Sequence, residues 1–488
     1  MKLLNASQWP LHASSDGRRV QYAVGAHTPE ALDALELMLE PARWSENYNA
    51  FAVVQVDNPS SRVVLVRDHF GGEPLYYYWD RQYCVFSSNL PDLLRQFSQL
   101  GLTEPELHQG QLKDLFSPRH TYSNQTFYQG IARVEPGSMV LLMPNQESPV
   151  VSYFWKLAPD APDLMLAHQE DYLERFSDLM EQAMRLYATP EDQVMGELSG
   201  GLDSSSILVT AHRLGLQYPL VMHIAPPDSK ERDDRVLADQ LLAHLGIDAD
   251  QWVSYVDAQD FDPETVFQVC AGVFAGSAPY IFFMLAHNVH QVVVQKGRKI
   301  LLSGAAGDQC VSSHAPTRYL KDKGTLQGFR KIKNWLKNLK SPTPAYGSIR
   351  EWEWDLLQGP NSHEVRMRVE YSAVIAKALG FEYRYPLLYP PLVEFCYRLP
   401  ESLKRQGLEG RYLIRRYLER YAPESVSQNA QKRGGIIPST LEKCRQYQAN
   451  GAFQACFHQQ YAKKLKTGHQ KLIAQIHGYM WEWWRNIS

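Results

Sequence analysis

The chain has 488 residues, with 50 lysines and arginines against 53 aspartates and glutamates, and its formal net charge of −3 gives no global pull toward nucleic acid or anionic lipid. Six cysteines (Cys84, Cys270, Cys310, Cys396, Cys444, Cys456) are widely spread and form no CxxC pair, which argues against structural zinc and against a disulfide framework. No charged segment with an apolar core opens the chain and no apolar run of about eighteen residues occurs, so a cytoplasmic protein without an integral membrane segment is expected.

In chain order, residues 1 to about 155 alternate short β-rich runs with turns, among them Val63-Val64-Leu65-Val66, Tyr83 to Phe86 and Ser138 to Leu142, a pattern suited to a sandwich of antiparallel sheets. Leu157-Ala158-Pro159-Asp160-Ala161-Pro162-Asp163 reads as a proline-rich connector. From His168 to Tyr187 apolar residues recur at helical spacing. An apolar run from Val194 to Leu198, a glycine-rich turn, a helical stretch from Ser205 to Leu214 and a further strand from Leu220 to Ile224 then form a βαβ unit. A doubly wound parallel sheet follows, with its ligand at the carboxyl ends of the strands. The expected division is 1–156, a linker over 157–168, and 169–488, without internal repeats.

The turn Ser199-Gly200-Gly201-Leu202-Asp203-Ser204 makes an anion site. Successive backbone N–H groups point inward, the helix N-terminus adds partial positive charge, and glycine lets the main chain approach a phosphate. The serines add hydroxyl donors, and Asp203 supplies a hard oxygen for a phosphate-bound magnesium. This is neither the P-loop pattern, which needs a lysine after its last glycine, nor the dinucleotide fingerprint. A plain strand-to-helix turn has no need of that combination.

The motif resembles the pyrophosphate loop of the ATP pyrophosphatases, and further segments resemble one branch of them, the asparagine-synthetase-like proteins. Arg67-Asp68 with Gly72, Pro74-Leu75-Tyr76-Tyr77, Phe86-Ser87-Ser88, Gly130-Ile131 and Pro136-Gly137 look like that branch's N-terminal amidotransferase-type (Ntn-type) sandwich. Leu302-Ser303-Gly304 with Gly307-Asp308, Arg384-Tyr385-Pro386-Leu387-Leu388, and Lys432 before Gly434 look like its synthetase domain. The resemblance covers nearly the whole chain; singly only the SGGLDS turn is specific, and in this order the set is strong.

Two departures from the family pattern shape the functional expectation. Glutamine-hydrolysing members begin, after methionine removal, with a cysteine whose α-amine activates its own thiol. This chain begins Met1-Lys2-Leu3-Leu4 and its first cysteine is Cys84, so no glutaminase activity is expected and the amine must come from the substrate or from solution. Asparagine synthetases carry a glutamate where Ala305 stands, and β-lactam synthetases a tyrosine; alanine can neither take nor relay a proton. The departures point by subtraction to the cyclases that close the macrolactam of lasso peptides. These adenylate an Asp or Glu side chain of a precursor peptide and let its N-terminal amine attack. The resemblance implies ATP and Mg2+ as cofactors, with a leader peptidase and a leader-recognition protein as companions. A β-lactam synthetase, an ammonia-using amide synthetase and a non-catalytic nucleotide-binding scaffold are the alternatives.

By that resemblance Ser199, Gly200, Gly201, Asp203, Ser204 and Gly304 hold the nucleotide, and Asp203 and Asp308, at the ends of successive predicted strands, hold magnesium. Glu370, counted back from Arg384-Tyr385-Pro386, stands where β-lactam synthetases carry their catalytic glutamate and is expected to be the base. Lys432, in Gln431-Lys432-Arg433-Gly434-Gly435, is expected to stabilise charge at the α-phosphate. Arg384 reads as a structural ion pair and His223 as a core histidine. Lys321 to Lys340 reads as a basic amphipathic helix. Tyr479 to Trp484 is an aromatic tail that either plugs a groove of its own domain or meets another chain.

Overall fold

A computed structural model describes residues 2–5, 11–13, 19–25, 44–108, 110–111, 123–189, 193–224, 235–257, 260–275, 282–311, 346–406, 409–429, 443–446, 480, 483–484 and 486. The N-terminal half is built from strands β1 (Lys2–Asn5), β2 (Leu11–Ala13), β3 (Arg19–Gly25), β4 (Phe51–Asp57), β5 (Arg62–Arg67), β6 (Tyr76–Trp79), β7 (Tyr83–Ser87), β8 (Ile131–Arg133), β9 (Ser138–Leu142) and β10 (Val150–Tyr153). They form a six-stranded sheet in the order β10-β9-β5-β4-β3-β2 and a four-stranded sheet in the order β1-β7-β6-β8. The sandwich is antiparallel except for one pair, β1 running parallel to β7, which the sequence pattern did not reveal.

β4 and β5 read as continuous apolar runs because both faces of their sheet are covered. Ala52, Val54, Val56, Val63 and Leu65 point between the sheets toward Leu75, Tyr77, Cys84 and Phe86. Phe51, Val53, Val64 and Val66 point the other way, into a core continuous with Phe154, Trp155, Leu157 and the residues of the C-terminal half. Helix α1 (Leu90–Leu100) closes the four-stranded side; Asn89 caps its start by accepting from Asp92 N–H, and Gly101 ends it in the left-handed region.

The C-terminal half is a five-stranded parallel sheet in the order β13-β12-β11-β14-β15. Its strands are β11 (Val194–Glu197), β12 (Leu220–Ile224), β13 (Val253–Asp257), β14 (Ile300–Leu302) and β15 (Glu382–Arg384). Helix α2 (Gln169–Tyr187) leads in, α3 (Leu202–Arg213) connects β11 to β12, and α4 (Arg235–His244) lies between β12 and β13. The chain then passes through α5 (Pro263–Val273) and α6 (Phe282–Gln295) and returns to the far side of β11 as β14. After α7 (Gly307–Cys310), α8 (Ile349–Leu357) and α9 (His363–Leu379) the chain adds β15, then α10 (Pro390–Tyr397) and α11 (Tyr412–Glu419). The strand order therefore reverses between β11 and β14, which makes the crevice at their carboxyl ends the switch point of a doubly wound sheet.

The connector at 157–163 starts from the buried Leu157, is largely exposed beyond it, and is tied down: Leu157 N–H donates to Gln358 Oε1 at 2.7 Å, and Arg350 pairs with Asp163. Of the aromatic tail, Met480 is buried beside Phe267 and Tyr371, and Trp483 and Trp484 pack against the same group, so these described residues fill a groove of their own chain. The basic 321–340 stretch lies outside the described residues. Among the described residues no helix is long and apolar enough to cross a membrane.

Candidate active site

Helix α3 begins at Leu202, three residues earlier than its apolar spacing suggests, so Asp203 and Ser204 stand in its first turn. Gly200 takes a φ of +66°, a left-handed conformation that turns the strand into the helix. The Ser204 hydroxyl accepts from Ser199 N–H at 3.1 Å and meets the Ser199 hydroxyl at 3.0 Å, drawing the turn closed. No side chain caps the helix at Gly201, and the Ser205 hydroxyl, fully buried in the same first turn, has no partner among the described residues. Unclaimed donors at a helix N-terminus suit a phosphate.

Across the switch point, Ser303-Gly304-Ala305-Ala306-Gly307-Asp308 follows β14. Asp203 and Asp308 thus follow neighbouring strands of the sheet; the expectation that those strands are successive in the chain is corrected, since β12 and β13 intervene. The two loops touch. A Cβ built on Gly304 would lie 2.9 Å from Ser204 N, and one on Gly307 would lie 2.2 Å from Asp203 Oδ1. Only glycine lets the Asp203 carboxylate sit against the start of α7.

Arg411, which the sequence reading did not single out, clasps Asp203 with both terminal nitrogens, Nη1 donating to Oδ2 at 3.0 Å and Nη2 to Oδ1. It is buried, and its φ of +63° is a strained conformation for arginine, of the kind retained where function demands it. Its signal is absent from local sequence because 208 residues separate it from Asp203. A phosphate-bound magnesium takes one or two carboxylates and leaves its other positions to water and phosphate oxygens. The donor set fits that demand: Asp203 is one-fifth exposed beside the glycine that precedes Asp308, with a helix N-terminus alongside.

Glu370, on α9, is 1% exposed and faces the N-terminal half. Arg67 Nη1 donates to its Oε2 at 2.9 Å, while Arg133 Nε at 3.1 Å and the Tyr76 hydroxyl at 2.9 Å donate to its Oε1. Burial alone would raise its carboxyl; the guanidinium groups of Arg133 and Arg67 more than reverse this and hold it below the usual range. An ionised carboxylate with both oxygens engaged is a clasp between the two halves and is poorly placed to take a proton from an amine. That geometry argues against the expected role of catalytic base, and the partners come from a region the local sequence does not connect to α9. Asp68, next to Arg67, accepts from the N–H groups of Phe70, Gly71, Gly72 and Glu73 and so shapes the loop that carries the arginine's partners.

Lys432 and its flanking glycines lie outside the described residues. Arg384 pairs with Glu382 at 2.6 Å and donates to the Tyr187 carbonyl at 3.0 Å, the structural role read from sequence. Between the halves lies a cavity of about 390 Å³ lined by Asp68, His69, Glu73, Lys377, Tyr383 and Tyr385 among others. Cys84, Cys270, Cys310, Cys396 and Cys444 are all buried, and burial pushes the Cys84 thiol up to about 12, far from a nucleophilic thiolate.

A sandwich followed by a doubly wound sheet with a glycine-rich anion loop at its switch point defines a two-part nucleotide-site protein. The glutamine amidotransferase domain family matches residues 43–155 and the asparagine synthase family matches 175–373 and 366–475. The chain belongs to the asparagine synthase family. It is 21% identical over 409 residues to asparagine synthetase [glutamine-hydrolyzing] 2 of Bacillus subtilis, covering 75% of this chain and 53% of that one. It is 27% identical over 157 residues to amidase chry2 of Gibberella zeae (32% of this chain, 22% of the amidase). To a putative asparagine synthetase 2 of Methanocaldococcus jannaschii it is 24% identical over 152 residues (31% and 28%). The chain thus spans about half or less of the length of these curated relatives. Among solved structures, NMN synthetase from Francisella tularensis shows 16% identity over 50% of this chain and 99% of that one, with a TM-score of 0.20.

Proposed function

We propose that the chain is an ATP-dependent carbon–nitrogen ligase that adenylates a carboxylate and passes the acyl group to an amine, releasing AMP and pyrophosphate. The observation that carries this reading is the meeting of the Ser199–Ser204 turn with the Gly304–Asp308 loop, Asp203 lying against Gly307. In this reading Ser199, Gly200, Gly201, Ser204 and Gly304 seat the phosphates through backbone N–H groups and hydroxyls. Asp203 and Asp308 would hold the magnesium, which when bound neutralises charge on the departing pyrophosphate. Arg411 is positioned to exchange from Asp203 to a phosphate oxygen. Lys432 keeps the role the resemblance gives it, a cation beside the α-phosphate.

Within that class we favour intramolecular amide formation on a peptide, the lasso-type macrolactam closure, with ATP and Mg2+ and a precursor peptide as substrate. Ala305 supports it, since the acid or phenol that related synthetases carry there is replaced by a methyl group that cannot handle protons. The test is pyrophosphate release from ATP and magnesium with a candidate core peptide, with and without ammonium, followed by mass analysis. Loss of one water from the peptide without ammonium, together with AMP, is the expected result. Release only with ammonium identifies an ammonia-using amide synthetase, and none under any condition identifies a scaffold.

A further inference from the structure

The last residue of β11, two positions before Ser199, is a glutamate that the reading above does not use. Glu197 ends the central strand, and Ser303, the first residue after β14, donates its hydroxyl to Glu197 Oε2. Ser303 is itself fixed: its N–H donates to the Arg384 carbonyl at 3.0 Å and its hydroxyl accepts from Ala305 N–H at 3.3 Å. The acid is therefore tied to the same loop that brings Gly304 and Gly307 to the nucleotide turn.

Strand alternation puts Glu197 on the face of Met195, which packs with Val289 and Val293 of α6 and Ala376 of α9, away from α3. On that face Tyr383 and Tyr385 feel the charge of Glu197, burial being the larger reason their phenols stay protonated. Their rings stack with centroids 5.7 Å apart and 7° between planes. The Tyr383 hydroxyl meets His290 Nε2 at 2.8 Å, while His290 Nδ1, wholly buried, has no partner among the described residues. Burial raises the Glu197 carboxyl, opposed by the Ser303 hydroxyl and then by the field of Arg368, and no ion pair to Glu197 occurs among the described residues. Partly burying a carboxyl without a paired cation disfavours its charged form, and a cation brought beside it restores that form. An ammonium group beside the acid and over electron-rich rings supplies what is missing.

Building on the ligase reading, we propose that Glu197 receives the amine nucleophile. Its carboxylate binds the substrate ammonium and takes one proton; the freed nitrogen lone pair forms the C–N bond at the adenylate carbonyl. The bond from that carbon to the AMP phosphate oxygen breaks, AMP leaves with the electron pair, and the second nitrogen proton passes to water. Glu197 thereby fills the place that the clasped Glu370 leaves open.

The test uses the full chain and methylammonium as the amine probe, its binding followed by NMR line broadening in the absence of ATP. Glu197→Gln should weaken binding about tenfold, the worth of one charge-assisted hydrogen bond. Glu197→Asp should lie between, and Ser303→Ala, which keeps the acid and removes its donor, should also change the affinity. Unchanged affinity in a folded Glu197→Gln protein overturns the proposal; if that variant does not fold, unchanged affinity in both Glu197→Asp and Ser303→Ala overturns it. Because the probe binds without nucleotide, this failure is told apart from failure of the ligase reading, which shows as absent pyrophosphate release by the wild-type chain.

Discussion

At the scale of single residues, Glu370 and Asp203 make opposite predictions. Glu370→Gln leaves Arg67 and Arg133, 0% and 5% exposed, without their counter-ion, and breaking a buried pair in this way costs roughly 3–5 kcal/mol. The expected outcome is a lower thermal midpoint and equal loss of adenylation and amide formation; a stable variant that fails only in amide formation would restore Glu370 as the base. The pH dependence has a definite sign. A carboxyl held lower in the folded than in the unfolded chain contributes stability above the unfolded value, about 4.3, and loses it as pH falls through the folded one. Acid unfolding followed by circular dichroism should therefore be less steep in the Gln variant. Asp203→Asn should instead spare the fold more than the chemistry, lowering pyrophosphate release by about a hundredfold or more if the acid faces magnesium; near-normal release would remove it from the site.

These residues also show what local sequence can and cannot carry. The SGGLDS turn is readable because its glycines and hydroxyls serve one local geometry. Glu370, expected as the base, is instead buried with both carboxylate oxygens engaged by Arg67, Arg133 and Tyr76. Helix α9 is buried on nearly every side, and its arginine partner Arg67 lies 303 residues away, a separation no periodicity reports. Arg411 escaped for the same reason, lying 208 residues from Asp203, and Glu197 meets Ser303 only when the sheet places β14 beside β11.

At the scale of elements, the strands were legible where alternation or apolar runs are long. The expected segments Ser138 to Leu142 and Leu220 to Ile224 are strands with those bounds, and Val63 to Val66 gains one residue at each end. Strand order was not legible, because the return from β13 to β14 passes through two helices that sequence cannot aim. The contact between the two loops yields a paired prediction. Gly307→Ala places a methyl 2.2 Å from Asp203 Oδ1 and 2.5 Å from Leu387 Cδ1, so the carboxylate must move by about 1 Å. Displacement of that size at a reacting centre costs about a hundredfold in rate. Gly272→Ala, inside α5 with Trp483 Cζ3 the nearest atom at 3.9 Å, should instead stabilise by up to about 1 kcal/mol through helix propensity. Turnover and thermal midpoints of the two variants separate a site glycine from a spare one.

At the scale of the whole molecule, the two halves share one core and several directional joints. Phe51, Val66 and Trp155 belong to the same apolar cluster as Phe176, Leu202 and Tyr389. Around it Trp155 Nε1 donates to Glu394 Oε1 at 2.6 Å, the Tyr128 hydroxyl to the Ala275 carbonyl at 2.6 Å, and the Tyr187 hydroxyl to the Tyr48 carbonyl at 2.5 Å. Lys377 pairs with Glu73, and the Glu370 clasp lies among them. An interface with an apolar core and satisfied buried ions does not depend on the peptide that connects its sides. A protease site placed within 159–162, in the exposed connector, should therefore be cut without separating the fragments, which should co-elute on size exclusion and retain pyrophosphate release. Combining that cut with Glu370→Gln should release them, since the variant removes the charge that three buried donors require. Fragments that part after cleavage of the otherwise unaltered chain would show that the connector, and not this interface, holds the N-terminal sandwich over the synthase sheet.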